Sequence, residues 1–134
     1  MSDLGHERHL ARERALELAY EASIKDVSFA ESLKGLPIAP APYVSVLLEA
    51  MDANHDWAKD LIVRCAFDWQ YDRMPVIDRL VMIMALAEAR TSEPPPRAVI
   101  LDEAVELAKT FSTDSSPSFV NGVLVACFDE ESIG

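Results

Sequence analysis

Pro75-Val76-Ile77-Asp78-Arg79-Leu80-Val81-Met82-Ile83-Met84-Ala85-Leu86-Ala87-Glu88 decides the fold. Ile77, Leu80, Val81, Ile83, Met84 and Leu86 cover nearly every side of a helix. Pro75 fits the first turn, where no amide donor is needed. A helix apolar all round has to be surrounded, so this one is the core. Its apolar run, Leu80 to Ala87, is far shorter than the ~20 residues that cross a bilayer.

Outward from this helix, prolines punctuate a chain with no sustained period-two alternation, which predicts an all-α fold. Upstream, Val44, Leu47, Leu48, Met51, Ala58, Ile62 and Cys65 keep one apolar stripe from Ala41 onward. Asp52-Ala53-Asn54-His55-Asp56 interrupts it, so the segment reads as one long helix or two. Pro37, Pro40 and Pro42 make the preceding loop. Ser28 and Glu31 have capping-box spacing for a short segment that stops at Gly35. A first helix, about Asp3 to Ser23, carries Ala11, Ala15, Leu18, Ala19 and Ala22, with Ser2 or Asp3 available as its cap. Downstream of Pro94-Pro95-Pro96 a helix carries Ile100, Leu101, Ala104, Val105 and Ala108. Ser116 then caps, and Pro117 opens, a last helix with Phe119, Val120, Val123, Leu124 and Cys127. The acidic end from about 129 reads as a frayed tail.

The chain has 134 residues, 50% hydrophobic and 26% charged, which fits one domain over 1–134 and excludes disorder. Twelve Lys plus Arg against 23 Asp plus Glu leave a net charge of −11. That balance disfavours indiscriminate binding to nucleic acid or anionic membranes, so an RNA partner requires a local basic patch. Met1 to Glu7 contains no apolar leader, and a cytoplasmic location is the expectation. Cys65 and Cys127 lie far apart in sequence without a CxxC, and read as packing residues.

Catalytic patterns are missing. His6, His9 and His55 have no metal-ligand spacing, and no glycine-rich phosphate loop occurs, so neither enzyme nor cofactor nor metal is expected. Asp102, Glu103 and Glu106 gather carboxylates over one turn, as a cation site or simply as a solvated helix face. Arg8, His9, Arg12 and Arg14 concentrate positive charge in the first helix. Arg8 and Arg12 share a face and with His9 could touch neighbouring phosphates, or could merely solvate the helix. In Phe119-Val120-Asn121-Gly122-Val123-Leu124 a glycine sits inside a good helix at a cost of ~1 kcal/mol relative to alanine. Either packing explains it, or this segment lies beside the basic helix and offers Phe119 as a stacking platform.

Three segments together resemble the NusB family of transcription antitermination factors. They are Ala11-Arg12-Glu13-Arg14-Ala15-Leu16-Glu17-Leu18-Ala19-Tyr20, then Leu101-Asp102-Glu103-Ala104-Val105-Glu106-Leu107-Ala108-Lys109-Thr110-Phe111, and Phe119 to Leu124. Trp69, Arg73, Asp78, Arg79 and Ala85-Leu86-Ala87-Glu88 are similar to the family's central helix. The resemblance implies an all-α bundle of two small packed helical subdomains, without catalysis. It implies binding of boxA-type leader RNA together with the ribosomal protein NusE, within the transcription elongation complex, to regulate rRNA operons. By position, the RNA face would comprise Arg8, His9, Arg12, Phe111, Ser115 and Phe119, and the NusE side Tyr20 and Glu88. Family members carry more arginines at the start and a cation at the place of Ser118, so the resemblance implies weak RNA binding by this chain alone. The alternatives are a NusB-fold adaptor that binds protein or itself, as a homodimer, and a stand-alone equivalent of the NusB-like domain of RNA cytosine methyltransferases.

Overall fold

The computed structural model describes residues 3–133, and among these every regular element is helical. Helix α1 spans Asp3–Lys25, α2 Pro42–Cys65, α3 Val76–Ala89, α4 Arg97–Phe111 and α5 Ser116–Glu130. Short 3-10 turns at Ala30–Leu33 and Tyr71–Arg73 lie in the connections before and after α2. The suggested cap Ser2 lies outside the described residues.

α3 is the core helix its sequence predicts: every residue from Leu80 to Glu88 is buried. α2 lies along it, α1 packs on α2 and α3, and α4 and α5 pack on one another and on α3. Small residues make the α1 contact close, with Ala11, Ala15, Ala19 and Ala22 buried along with Leu16 and Leu18. α1 ends in a left-handed residue, Asp26 at φ 56°, and the Val27 amide donates back to the Ala22 carbonyl at 3.1 Å. This arrangement satisfies carbonyls that a helix end leaves unpaired.

The polar interruption in α2 breaks nothing, for α2 is one continuous helix. Asp52 turns outward and accepts the backbone amides of Phe29 at 2.7 Å and Ala30 at 2.9 Å. The preceding 3-10 turn is therefore capped by a carboxylate from another helix rather than by Ser28 or Glu31. Asn54 returns a hydrogen bond to the Ala50 carbonyl at 2.8 Å, and His55 leans on the Phe29 ring. The polar stretch is thus a clasp on the α1–α2 connection.

The acidic end is not frayed. α5 continues to Glu130, where Arg64 Nη2 pairs at 2.9 Å, while Arg97 pairs with Asp129 at 2.7 Å. Trp57 donates its indole N–H to Glu131 at 3.0 Å. Hydrogen bonding from Arg64, then from Cys65, holds the Glu130 carboxyl below its ordinary pKa. Cys127 is buried and Cys65 half-buried, both as free thiols.

Candidate nucleic-acid interface

The cationic start of α1 is mostly committed to the fold. Arg12 is 3% exposed, and Glu88 on α3, which faces it, is 1% exposed. Arg12 Nε donates to both Glu88 oxygens at 3.0 Å, Nη2 to Glu88 at 2.8 Å, and Nη1 to Glu103 of α4 at 2.7 Å. The Tyr43 hydroxyl from α2 also donates to Glu88. One guanidinium therefore joins α1, α3 and α4. Burial alone would lower the Arg12 pKa, but the hydrogen bond and charge of Glu88, then the charge of Glu103, leave it raised. Burial, then the bond to Glu88, pushes Tyr43 up to about 12.

Two expectations are corrected by this network. Arg12 cannot offer its fork to a phosphate, because all three nitrogens already donate to carboxylates inside the protein. Glu88 cannot face a protein partner, because its carboxylate is closed off by Arg12 and Tyr43. A lone buried ion costs several kcal/mol, so the arginine and glutamate explain one another without any ligand.

Arg8 and His9 remain nearer the surface. The Arg8 guanidinium stacks 3.9 Å from the Tyr43 ring centroid, and no carboxylate among the described residues pairs with it. His9 lies between two carboxylates, with Nδ1 2.8 Å from Glu103 and Nε2 3.6 Å from Glu13. A protonated His9 would be neutralised there before it met RNA. Tyr20 is exposed on α1, with Ile24 exposed one turn on.

The other half of the expected RNA face gathers at the α4–α5 corner. Phe111 and Ser115 are exposed, and Phe119 is half-buried with its ring 5.2 Å from Trp69 in an edge-on contact of 70°. A buried carboxylate fixes this corner. Asp78, in the first turn of α3, accepts the hydroxyls of Ser112 at 2.5 Å and Ser116 at 2.9 Å. Ser116 Oγ also accepts the Thr113 amide at 3.2 Å. Ser116 is thus an internal hydrogen-bond hub in the first turn of α5 rather than the cap before it.

α4 separates the two groups. His9 and Arg12 meet it at Glu103, whereas Phe111 lies eight residues on, roughly 12 Å along a helix axis. Glu103 is taken up by Arg12 and His9, whereas Asp102 and Glu106, with Pro117, Ser118 and Asn121, line an open groove of about 550 Å3 between α4 and α5. The three carboxylates therefore do not converge. α5 packs chiefly on α4, α2 and α3 rather than beside α1, so Gly122 is not explained by closeness to the basic helix. Nor does packing explain it, since a Cβ built there meets nothing within 4 Å. Sequence reading overlooked Tyr43, whose ring carries Arg8. Its only signal was an aromatic residue beside the helix-opening Pro42.

Comparisons with known proteins agree with this architecture. A model of the NusB family matches residues 9–128. The chain is 39% identical over 128 residues to the transcription antitermination protein NusB of Streptomyces griseus, covering 87% of this chain and 88% of that one. It is 42% identical over 124 residues to the protein of the same name from Saccharopolyspora erythraea, covering 87% and 83%. Among solved structures, T. maritima NusB superposes with a TM-score of 0.78 at 27% identity, over 97% of this chain and 94% of that one. A chain in a crystal structure of a plectonemic RNA supercoil shares the fold with a TM-score of 0.79 at 20% identity, over 94% and 96%. No helix among the described residues is long and apolar enough to cross a membrane.

Proposed function

The chain belongs to the NusB family, and from that premise we propose that it is a transcription antitermination factor. It acts without catalysis, as an adaptor that holds boxA-type leader RNA together with the ribosomal protein NusE in the elongation complex. The observation that carries the RNA role is the α4–α5 corner. Phe111, Ser115 and Phe119 stand at or near the surface on a turn that Asp78 holds in place. Exposed rings on a rigid turn are what single-stranded RNA uses for stacking. Arg8, presented on Tyr43, supplies a separate phosphate contact at the start of α1.

NusE would meet the outer side of α1, where Tyr20 and Ile24 are exposed among Glu17 and Glu21. A basic ribosomal protein finds complementary charge there. With Arg12 internal and His9 held by carboxylates, RNA affinity of the chain alone is low, and NusE raises it by sharing the strand. The test is a titration of boxA RNA with and without NusE; absence of binding in either arm at low salt overturns the RNA role.

A second reading has one specific observation in its favour: Arg12 is spent internally and His9 is held by two carboxylates, which suits an adaptor that binds protein alone. Salt separates the readings. The one phosphate contact named, Arg8, gives a slope of about 0.7 on a single strand, so RNA affinity falls by roughly two thirds of a decade per decade of salt. Self-association through apolar side chains barely responds, whereas docking of a basic partner on the acidic side of α1 weakens with salt whether or not RNA is present.

A further inference from the structure

The turn between α2 and α3 displays the two most exposed aromatic side chains among the described residues, Phe67 at 82% and Trp69 at 60%. Large apolar rings left in water together mark a surface that something else covers. The turn that holds them out is fixed. Its Ala66 is buried, the Ala66 amide donates to the Ile62 carbonyl at 2.8 Å, and the Trp69 amide donates to the Ala66 carbonyl at 2.9 Å. Beside it lies an open cleft of about 260 Å3 lined by Phe67, Asp68, Trp69, Ser118, Phe119 and Gly122.

Gly122 gives the cleft its space. Glycine weakens a helix interior relative to alanine, and here no neighbouring atom stands within 4 Å of where a Cβ would go. The missing side chain is missing from the cleft itself. What the cleft accepts follows from its lining. It contains one carboxylate, Asp68, and no Lys, Arg or His, so it repels a phosphate. Its volume falls below the ~300–1,000 Å3 of sites for drug-sized ligands, which suits a single flat ring system and not a partner's helix. A nucleobase is neutral and flat, stacks on aromatic faces, and carries N–H donors that a carboxylate accepts. Ser118 lines both this cleft and the α4–α5 groove, whose Asp102 and Glu106 also turn phosphates away, so it is a base splayed from the strand, and not the backbone, that reaches the cleft.

We propose that this cleft is a base-binding subsite, in which one unpaired base of the RNA strand stacks on Trp69 beside Phe119 over the space left by Gly122. The inference rests on the RNA reading above and adds Trp69 and Gly122 to it as base-contact positions. Fluorescence anisotropy of a short single-stranded boxA RNA, titrated with the full chain in the presence and absence of NusE, tests it. Trp69→Ala weakens binding roughly five- to a hundredfold, the range of one lost base stack, without changing the salt slope, because no phosphate contact is lost. Trp69→Phe restores most of it. Gly122→Leu, which fills the seat, weakens binding comparably, while Gly122→Ala raises the melting temperature and shows that the helix tolerates a side chain there. If the wild type binds RNA and both Trp69→Ala and Gly122→Leu bind within twofold of it, the subsite is overturned and the RNA reading stands. If Trp69→Ala loses NusE and keeps RNA, the cleft is a protein contact and the proposal fails. If the wild type binds no boxA RNA in either arm, the RNA reading falls and the subsite falls with it.

Discussion

The start of α1 and the α4–α5 corner were expected to form one surface, yet they are built on opposite plans. At α1 the polar groups turn inward: Arg12, Glu88, Glu103 and Tyr43 satisfy one another inside the protein. At the corner the polar groups, Asp78 with Ser112 and Ser116, stay inside so that the rings can remain outside. Charge placed on a helix is therefore a poor guide to charge offered to a ligand. An exposed ring backed by a buried hydrogen-bond hub is a better one.

The contrast breaks most visibly in stability. Arg12→Ala leaves Glu88 buried without its cation and should cost about 3–5 kcal/mol in urea unfolding, the usual penalty for half of a buried pair. If Arg12 served RNA instead, that variant would unfold like the wild type and lose only affinity. Asp78→Ala removes two hydrogen bonds to a charged acceptor, each about 1.5–3 kcal/mol. It should lower both the unfolding midpoint and RNA affinity, because the turn that carries Ser115 loses its anchor.

Smaller effects sharpen the comparison. Arg8→Ala should leave stability within ~1 kcal/mol, the worth of an exposed cation–π contact, while lowering the salt slope of RNA binding by about 0.7. Gly122→Ala should stabilise the chain by up to ~1 kcal/mol, since the added methyl meets nothing within 4 Å. Tyr43 adds a pH signature. The unfolded residue releases its proton near 10, whereas the folded one holds it to about 12. Its contribution is intact below pH 10 and is lost as the pH climbs from 10 towards 12. Tyr43→Phe should flatten the alkaline limb of a stability profile over that interval.

The helices were legible because periodicity and proline report on local geometry. Leu80 to Ala87 could be nothing but a buried helix, and Pro75, Pro94 to Pro96 and Pro117 mark boundaries that the backbone keeps. What escaped the sequence depends on pairs far apart in the chain. Asp52 looked like a break in α2 because its partners, the amides of Phe29 and Ala30, lie 22 or more residues away. Glu130 and Asp129 looked like a loose tail because Arg64 and Arg97 could not be matched to them by spacing. At the candidate site, the aromatic members are exposed or nearly so where position suggested, whereas Arg12 and Glu88 close on each other across 76 residues. No pattern within one helix announces that pairing.

Trp57 lies beneath the Arg90 guanidinium, 4.1 Å from its ring centroid, and reaches the end of α5 through Glu131. Trp69, in the turn after α2 and 60% exposed, stands at the opposite end of α5, against Phe119. The two indoles thus sit in unlike surroundings, one half-buried beneath a guanidinium and one largely in water, and should differ in emission. A single emission spectrum can therefore follow the closing of the last helical turn and the arrival of a strand at the corner as separate events, with no dye attached.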